Sequence, residues 1–137
     1  MRLHKDTKKT LIRSLPLFAD CTGEEIAEVA AIADEIDLPA GRVLATENAD
    51  GREFVVLVDG SATVLHGDRP VATLEAGDFF GEIALLTGRR RTATVVAKTP
   101  VRALVIEVHA FLRLMEDAPD IRTKVQRAMA QRVTTAS

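Results

Sequence analysis

From Glu35 to Glu107 the chain is cut by turn chemistry every few residues, and between the cuts apolar and polar side chains alternate with a period near two. The cuts are Pro39-Ala40-Gly41, Ala49-Asp50-Gly51, Asp59-Gly60, Gly67-Asp68, Ala76-Gly77 and Thr99-Pro100. Glycine supplies left-handed backbone, while proline and aspartate favour the first positions of turns. Short strands at this spacing are the pattern of an all-β sandwich or barrel. They are expected at Glu35 to Leu38, Arg42 to Ala45, Glu53 to Val58, Ser61 to His66, Pro70 to Leu74, Thr92 to Ala97 and Val101 to Glu107. Asp59-Gly60, between VVLV and SATV, is the strongest hairpin signal.

On either side the period lengthens to about 3.6, the spacing of a helix. Lys8 to Leu15 reads as a short helix stopped by Pro16, because the residue before proline is pushed out of helical backbone. Thr22 and Glu25 form a capping box for a helix from Glu24 to Ala33, with Ile26, Val29, Ala30 and Ala33 on one face. After the strands, His109 to Glu116 reads as a short helix, and Pro119 resets the chain. Asp120 to about Val133 then carries Ile121, Val125, Ala128, Met129 and Val133 along a stripe. The expected fold is mainly β with flanking α: N-terminal helices over 1–34, strands over 35–107 and C-terminal helices over 108–137. No internal repeat or low-complexity linker interrupts it.

At 137 residues this is one domain, long enough to bury a core without staples. Cys21 is the lone cysteine, so no internal disulfide forms and a reducing compartment fits. Val55 to Val58 is the longest strongly apolar run, far short of a membrane span, and a soluble cytoplasmic protein is expected. The net charge of −2 hides an asymmetry. Residues 1–13 carry five basic side chains against Asp6, and residues 120–137 carry four against Asp120, so the middle is acidic. Such ends can bind nucleic acid, lie solvated, or dock on a second copy as a homodimer. No run of like charge reaches the length of a basic arm, so nucleic-acid binding is not expected. His4, His66 and His109 have no metal-ligand spacing, and Ser14, Ser61 and Ser137 lack a nucleophile context. Neither a metal site nor catalysis is expected.

Residues 79–95, FFGEIALLTGRRRTATV, carry the chemistry. A glycine-led turn into one turn of helix presents unpaired N–H groups and a positive dipole end to an anion. An arginine can answer the same anion through its planar fork. If the strand alternates, Arg91 shares a face with Ala93 and Val95 and points inward, leaving Arg89 and Arg90 as loop charges. An inward charge is expensive unless an anion or a carboxylate meets it. An Arg91–Glu82 ion pair without ligand therefore competes with an anion site. Glu82 suits a ligand that offers hydroxyl donors together with its phosphate.

Phe80-Gly81-Glu82-Ile83-Ala84-Leu85-Leu86 and Arg91-Thr92-Ala93-Thr94-Val95 resemble the phosphate-binding cassette of the cyclic nucleotide-binding domain family, with its FGE(I/L)AL(L) core and R(T/S/A)ATV end. The resemblance runs from Leu15-Pro16-Leu17-Phe18 to the tail. It implies an antiparallel, jelly-roll-like β-roll with N-terminal helices and C-terminal hinge and lid helices. It also implies that Glu82 holds the ribose 2′-hydroxyl, and that Arg91 and the amide of Ala84 hold the phosphate. Gly81, Ile83, Thr92 and Ala93 complete the binding set. The base is expected against Val64, Val71 and Leu74, under a lid residue such as Val125, Met129 or Arg132. No cofactor is implied; the ligand is cAMP in preference to cGMP, and an effector protein receives the signal through the last helix. Family transcription factors add a helix-turn-helix module after the long helix, longer than the residues that follow here. Two other readings stand beside the sensor: an interaction domain that keeps the cassette without ligand, and a sensory fragment of a larger channel, kinase or transcription factor.

Overall fold

The computed structural model describes residues 5–136, with side chains described from 7 to 131. The described residues divide into a helical unit, 5–33 and 109–136, and a β unit, Asp34–Val108.

The β unit holds eight strands: β1 (Ala33–Leu38), β2 (Val43–Ala45), β3 (Glu53–Asp59), β4 (Ala62–His66), β5 (Arg69–Leu74), β6 (Phe79–Phe80), β7 (Thr94–Ala97) and β8 (Val101–Glu107). They form two four-stranded sheets in the orders β1-β8-β3-β6 and β2-β7-β4-β5. Val55, opposite both Val105 and Phe80, lies with Leu57 and Ala103 in the core. The second sheet meets them with Ala45, Ala62, Leu74, Val95 and Ala97. Phe54, Val56, Leu104 and Ile106, on the opposite face of the first sheet, are also buried. FVVL and ALVI are therefore continuous apolar runs, departing from the two-residue alternation expected across the β unit.

The turn at Asp59-Gly60 does not close a hairpin. β3 already has β8 and β6 on its two edges, so no edge remains for β4. Gly60, at φ 89°, instead swings the chain into the other sheet, where Ala62 pairs with Ala97. A side chain there would run into the Pro100 carbonyl. The hairpin lies one turn later, with β4 and β5 paired from Ala62↔Leu74 to His66↔Arg69. Two further differences concern the cassette. β6 is a two-residue strand that no periodicity announces, and β7 begins at Thr94 rather than Thr92.

In the helical unit, α1 (Lys5–Ser14) runs into a 3₁₀ turn at Pro16–Phe18, then α2 (Gly23–Ile32). The capping box forms: Glu25 N–H donates to Thr22 Oγ1 at 3.1 Å, and Thr22 N–H to Glu25 Oε1 at 2.8 Å. At the other end of α2, Lys8 Nζ donates to the Ala30 and Ala33 carbonyls at 2.8 and 2.6 Å, satisfying acceptors the helix leaves open. Cys21 is buried, and that burial, with Glu25 next, pushes its thiol up to about 11. α4 (Val108–Asp117) buries Phe111, Leu114 and Met115. α5 (Pro119–Ala136) opens on its proline, whose missing N–H costs nothing at that position, and buries Ile121 and Val125. Lys124 ties α5 to the 3₁₀ segment, donating to the Pro16 carbonyl and Asp20 Oδ2 at 2.9 Å each.

Candidate functional site

Gly81 sits at φ 106°, ψ −11°, a conformation that a side chain strongly disfavours, and caps the six-residue helix α3 (Glu82–Thr87). No side-chain hydrogen bond caps this end of α3. A methyl on Gly81 would stand 2.7 Å from Arg91 Nη1 and 2.6 Å from the Glu53 carbonyl oxygen. Glycine is thus required twice over, by backbone and by space.

Glu82, 1% exposed, and Arg91, 8% exposed, are the buried charged residues among the described residues. Arg91 faces inward although it precedes β7, because the backbone on either side of it is held by a loop. Its N–H donates to the Ala49 carbonyl at 2.8 Å, and Asn48 N–H donates to the Arg91 carbonyl at 2.9 Å. The guanidinium Nη2 donates to the Glu53 carbonyl at 2.8 Å. Nη1 is buried and has no hydrogen-bond partner among the described residues. Burial lowers the Arg91 pKa, and the charges of Glu53 and then Glu82 act against it. The charge of Glu82 thus bears on Arg91, while Nη1 itself has no hydrogen-bond partner among the described residues.

Ala84 and Leu85 are buried on α3, Ile83 and Ala93 are half-buried, and Thr92 is exposed. Arg89 and Arg90 are exposed, and Arg90 Nη1 donates to the Asn48 carbonyl at 3.0 Å. Val64 packs on the β core, and Leu74 is within it. Val71 is 42% exposed on β5, beside a register shift that puts Leu65 opposite Pro70 and throws Val71 out of step. On α5 Val125 is fully buried and Met129 half-buried; the Arg132 side chain lies outside the described residues.

Sequence reasoning missed the loop before β3. The Ala49 and Glu53 carbonyls work through backbone and leave no trace in residue type. Gly51 was legible as a glycine but read as turn punctuation, although its Cα faces both Ala84 and Arg91. Among the described residues no cluster of three or more His, Cys, Asp or Glu is placed to hold a metal, and no helix is long and apolar enough to cross a membrane.

The sequence profile of the cyclic nucleotide-binding domain matches residues 35–118. The cAMP-dependent protein kinase regulatory subunit of Aspergillus fumigatus is 35% identical over 120 residues, 86% of this chain and 29% of that protein. A cyclic nucleotide-gated potassium channel of Rhizobium etli is 33% identical over 122 residues, 89% of this chain and 34% of that protein. The chain thus spans about a third of the length of these curated relatives. The regulatory domain of Toxoplasma gondii PKA with cAMP superposes with a TM-score of 0.80 at 23% identity, covering 92% of this chain and 50% of that one, a likeness of fold. With a profile match across most of the chain, a β-roll of the same fold, and a glycine-led turn facing a buried arginine, the chain belongs to the cyclic nucleotide-binding domain family.

Proposed function

We propose that this domain is a cyclic nucleotide sensor, with cAMP preferred over cGMP and no catalysis of its own. The observation that carries the reading is the buried Arg91 guanidinium whose Nη1 has no hydrogen-bond partner among the described residues. An unanswered buried donor costs about 1 to 3 kcal/mol, more when charged, so the fold keeps it for a ligand that supplies the acceptor. An exocyclic phosphate oxygen of a cyclic nucleotide supplies it. The Ala84 amide adds a second donor, Glu82 takes the ribose 2′-hydroxyl, and Gly81, Ile83, Thr92 and Ala93 shape the remainder of the cradle. Val64 and Leu74 line the base.

Binding then drives a population shift in which α5 re-docks about the break at Pro119, and an effector protein reads its position. A bias of about 3 kcal/mol between open and closed states moves that equilibrium more than a hundredfold.

Titration calorimetry of the domain with cAMP and cGMP tests this. Micromolar or tighter binding is expected, tighter for cAMP, with a loss of at least about tenfold in Glu82→Ala and in Arg91→Leu. A folded sample that takes up neither nucleotide would overturn it.

A further inference from the structure

Most glycines of the β unit explain themselves by backbone: Gly41, Gly60, Gly67, Gly77, Gly81 and Gly88 all have positive φ. Gly51 does not, so its backbone is open to other residues, and the reason for glycine must be space. A methyl placed there would stand 2.5 Å from the Ala84 Cβ, a separation real side chains do not reach. It would stand 3.3 Å from Arg91 Nε and 3.5 Å from Arg91 Cδ. Gly51 therefore borders both halves of the anion site, the α3 backbone that carries the amides and the arm that carries the guanidinium.

The neighbouring bonds make this contact consequential. Two residues earlier, the Ala49 carbonyl takes the Arg91 N–H, and two residues later the Glu53 carbonyl takes Nη2 at 2.8 Å. Gly51 is the midpoint of a five-residue clamp fixed to Arg91 at both ends. A side chain at the midpoint cannot be absorbed by sliding the loop without breaking one of those bonds. It must push α3 or the arginine arm instead.

We propose that Gly51 is a positioning residue for the anion site: the missing side chain opens the slot in which the Arg91 arm lies against α3, and this sets where Nη1 and the Ala84 amide meet the phosphate. The inference rests on the reading of Arg91 as the phosphate arm. Substitution at Gly51 should weaken cyclic nucleotide by displacing Arg91 rather than by unfolding the domain.

The test combines a binding cycle with a signal that needs no ligand. Calorimetry with cAMP on the wild type and Arg91→Lys settles the parent reading. Gly51→Ala is then expected to weaken cAMP at least about tenfold in the wild-type background and far less in Arg91→Lys, since a displaced arm matters only while the arm is there. Ala84→Gly removes the 2.5 Å conflict, so the Gly51→Ala/Ala84→Gly pair should fold and bind more tightly than Gly51→Ala alone. It also carries the measurement should the single variant unfold. Nitrogen-15 spectra of the guanidinium in the free protein should show an ordered Arg91 whose signal is lost or shifted in Gly51→Ala. If the wild type takes up no nucleotide, the sensor reading fails and these spectra alone decide the positioning role. Equal losses from Gly51→Ala in both backgrounds, or an unchanged Arg91 signal, would overturn the proposal.

Discussion

Replacing Arg91 by leucine should remove most of the affinity for cyclic nucleotide while leaving the empty domain about as stable as before. Among the described residues the guanidinium makes one side-chain hydrogen bond, from Nη2 to the Glu53 carbonyl at 2.8 Å. Losing a bond from a charged donor costs about 1.5 to 3 kcal/mol. Against that, leucine abolishes the burial of Nη1, an unanswered donor worth about 1 to 3 kcal/mol, and fills the aliphatic part of the slot. The two nearly cancel, so the melting temperature of the free variant should lie within about 4 °C of the wild type, the equivalent of roughly 1 kcal/mol. Binding loses without compensation. A truncated charge-to-phosphate contact is worth about 2 to 5 kcal/mol, a fall of roughly 30-fold to several thousandfold in affinity. At a hundred times its dissociation constant, ligand stabilises the wild type by about 2.7 kcal/mol, which raises its melting temperature by about 10 °C. Thermal unfolding of both proteins with and without cAMP reads both quantities together. A free variant that melts 10 °C low would show that Arg91 is a strut of the fold. An equal ligand-induced rise in both proteins would show that it is not the phosphate arm.

Two predictions concern the helical unit. Glu28 on α2 is pushed up from the ordinary carboxylate range by burial first, then by a hydrogen bond and like charge from Asp117, with Arg113 opposing. A carboxyl that holds its proton more tightly folded than unfolded stabilises the fold at low pH, and that contribution disappears as pH rises through the folded value. Denaturant unfolding between about pH 4 and 7 should therefore show a decline that Glu28→Gln flattens, and parallel curves for the two proteins would count against the pairing. Thr22→Ala removes half of the capping box and should cost about 1 kcal/mol in the same assay; no change would mean that the box is incidental.

Local chemistry made much of this protein readable. The switch in period after Asp34 and its return at His109 bracket the β unit to within a few residues, because the two-residue and 3.6-residue repeats follow from bond geometry alone. The capping box at Thr22 and Glu25, the break at Pro119, and the glycine-led turn at Gly81 are likewise short-range, and each stands where residue type demands. So does the contrast within the arginine triplet, with Arg91 buried and Arg89 and Arg90 exposed.

Pairing between distant segments was not readable. Asp59-Gly60 has every local mark of a hairpin, yet β3 takes β8 and β6 as neighbours and sends β4 to the other sheet. Which edge a strand finds free depends on all the others, and no window of residues contains that. Arg91, the proposed phosphate arm, shows the same division. The family pattern in GRRRTATV singles it out of the triplet, but its inward hold comes from backbone bonds to Asn48 and Ala49, from the Glu53 carbonyl and from the space that Gly51 leaves. Every residue has a carbonyl and any turn can use a glycine, so these parts acquire meaning only when the fold brings residues some forty positions apart into contact.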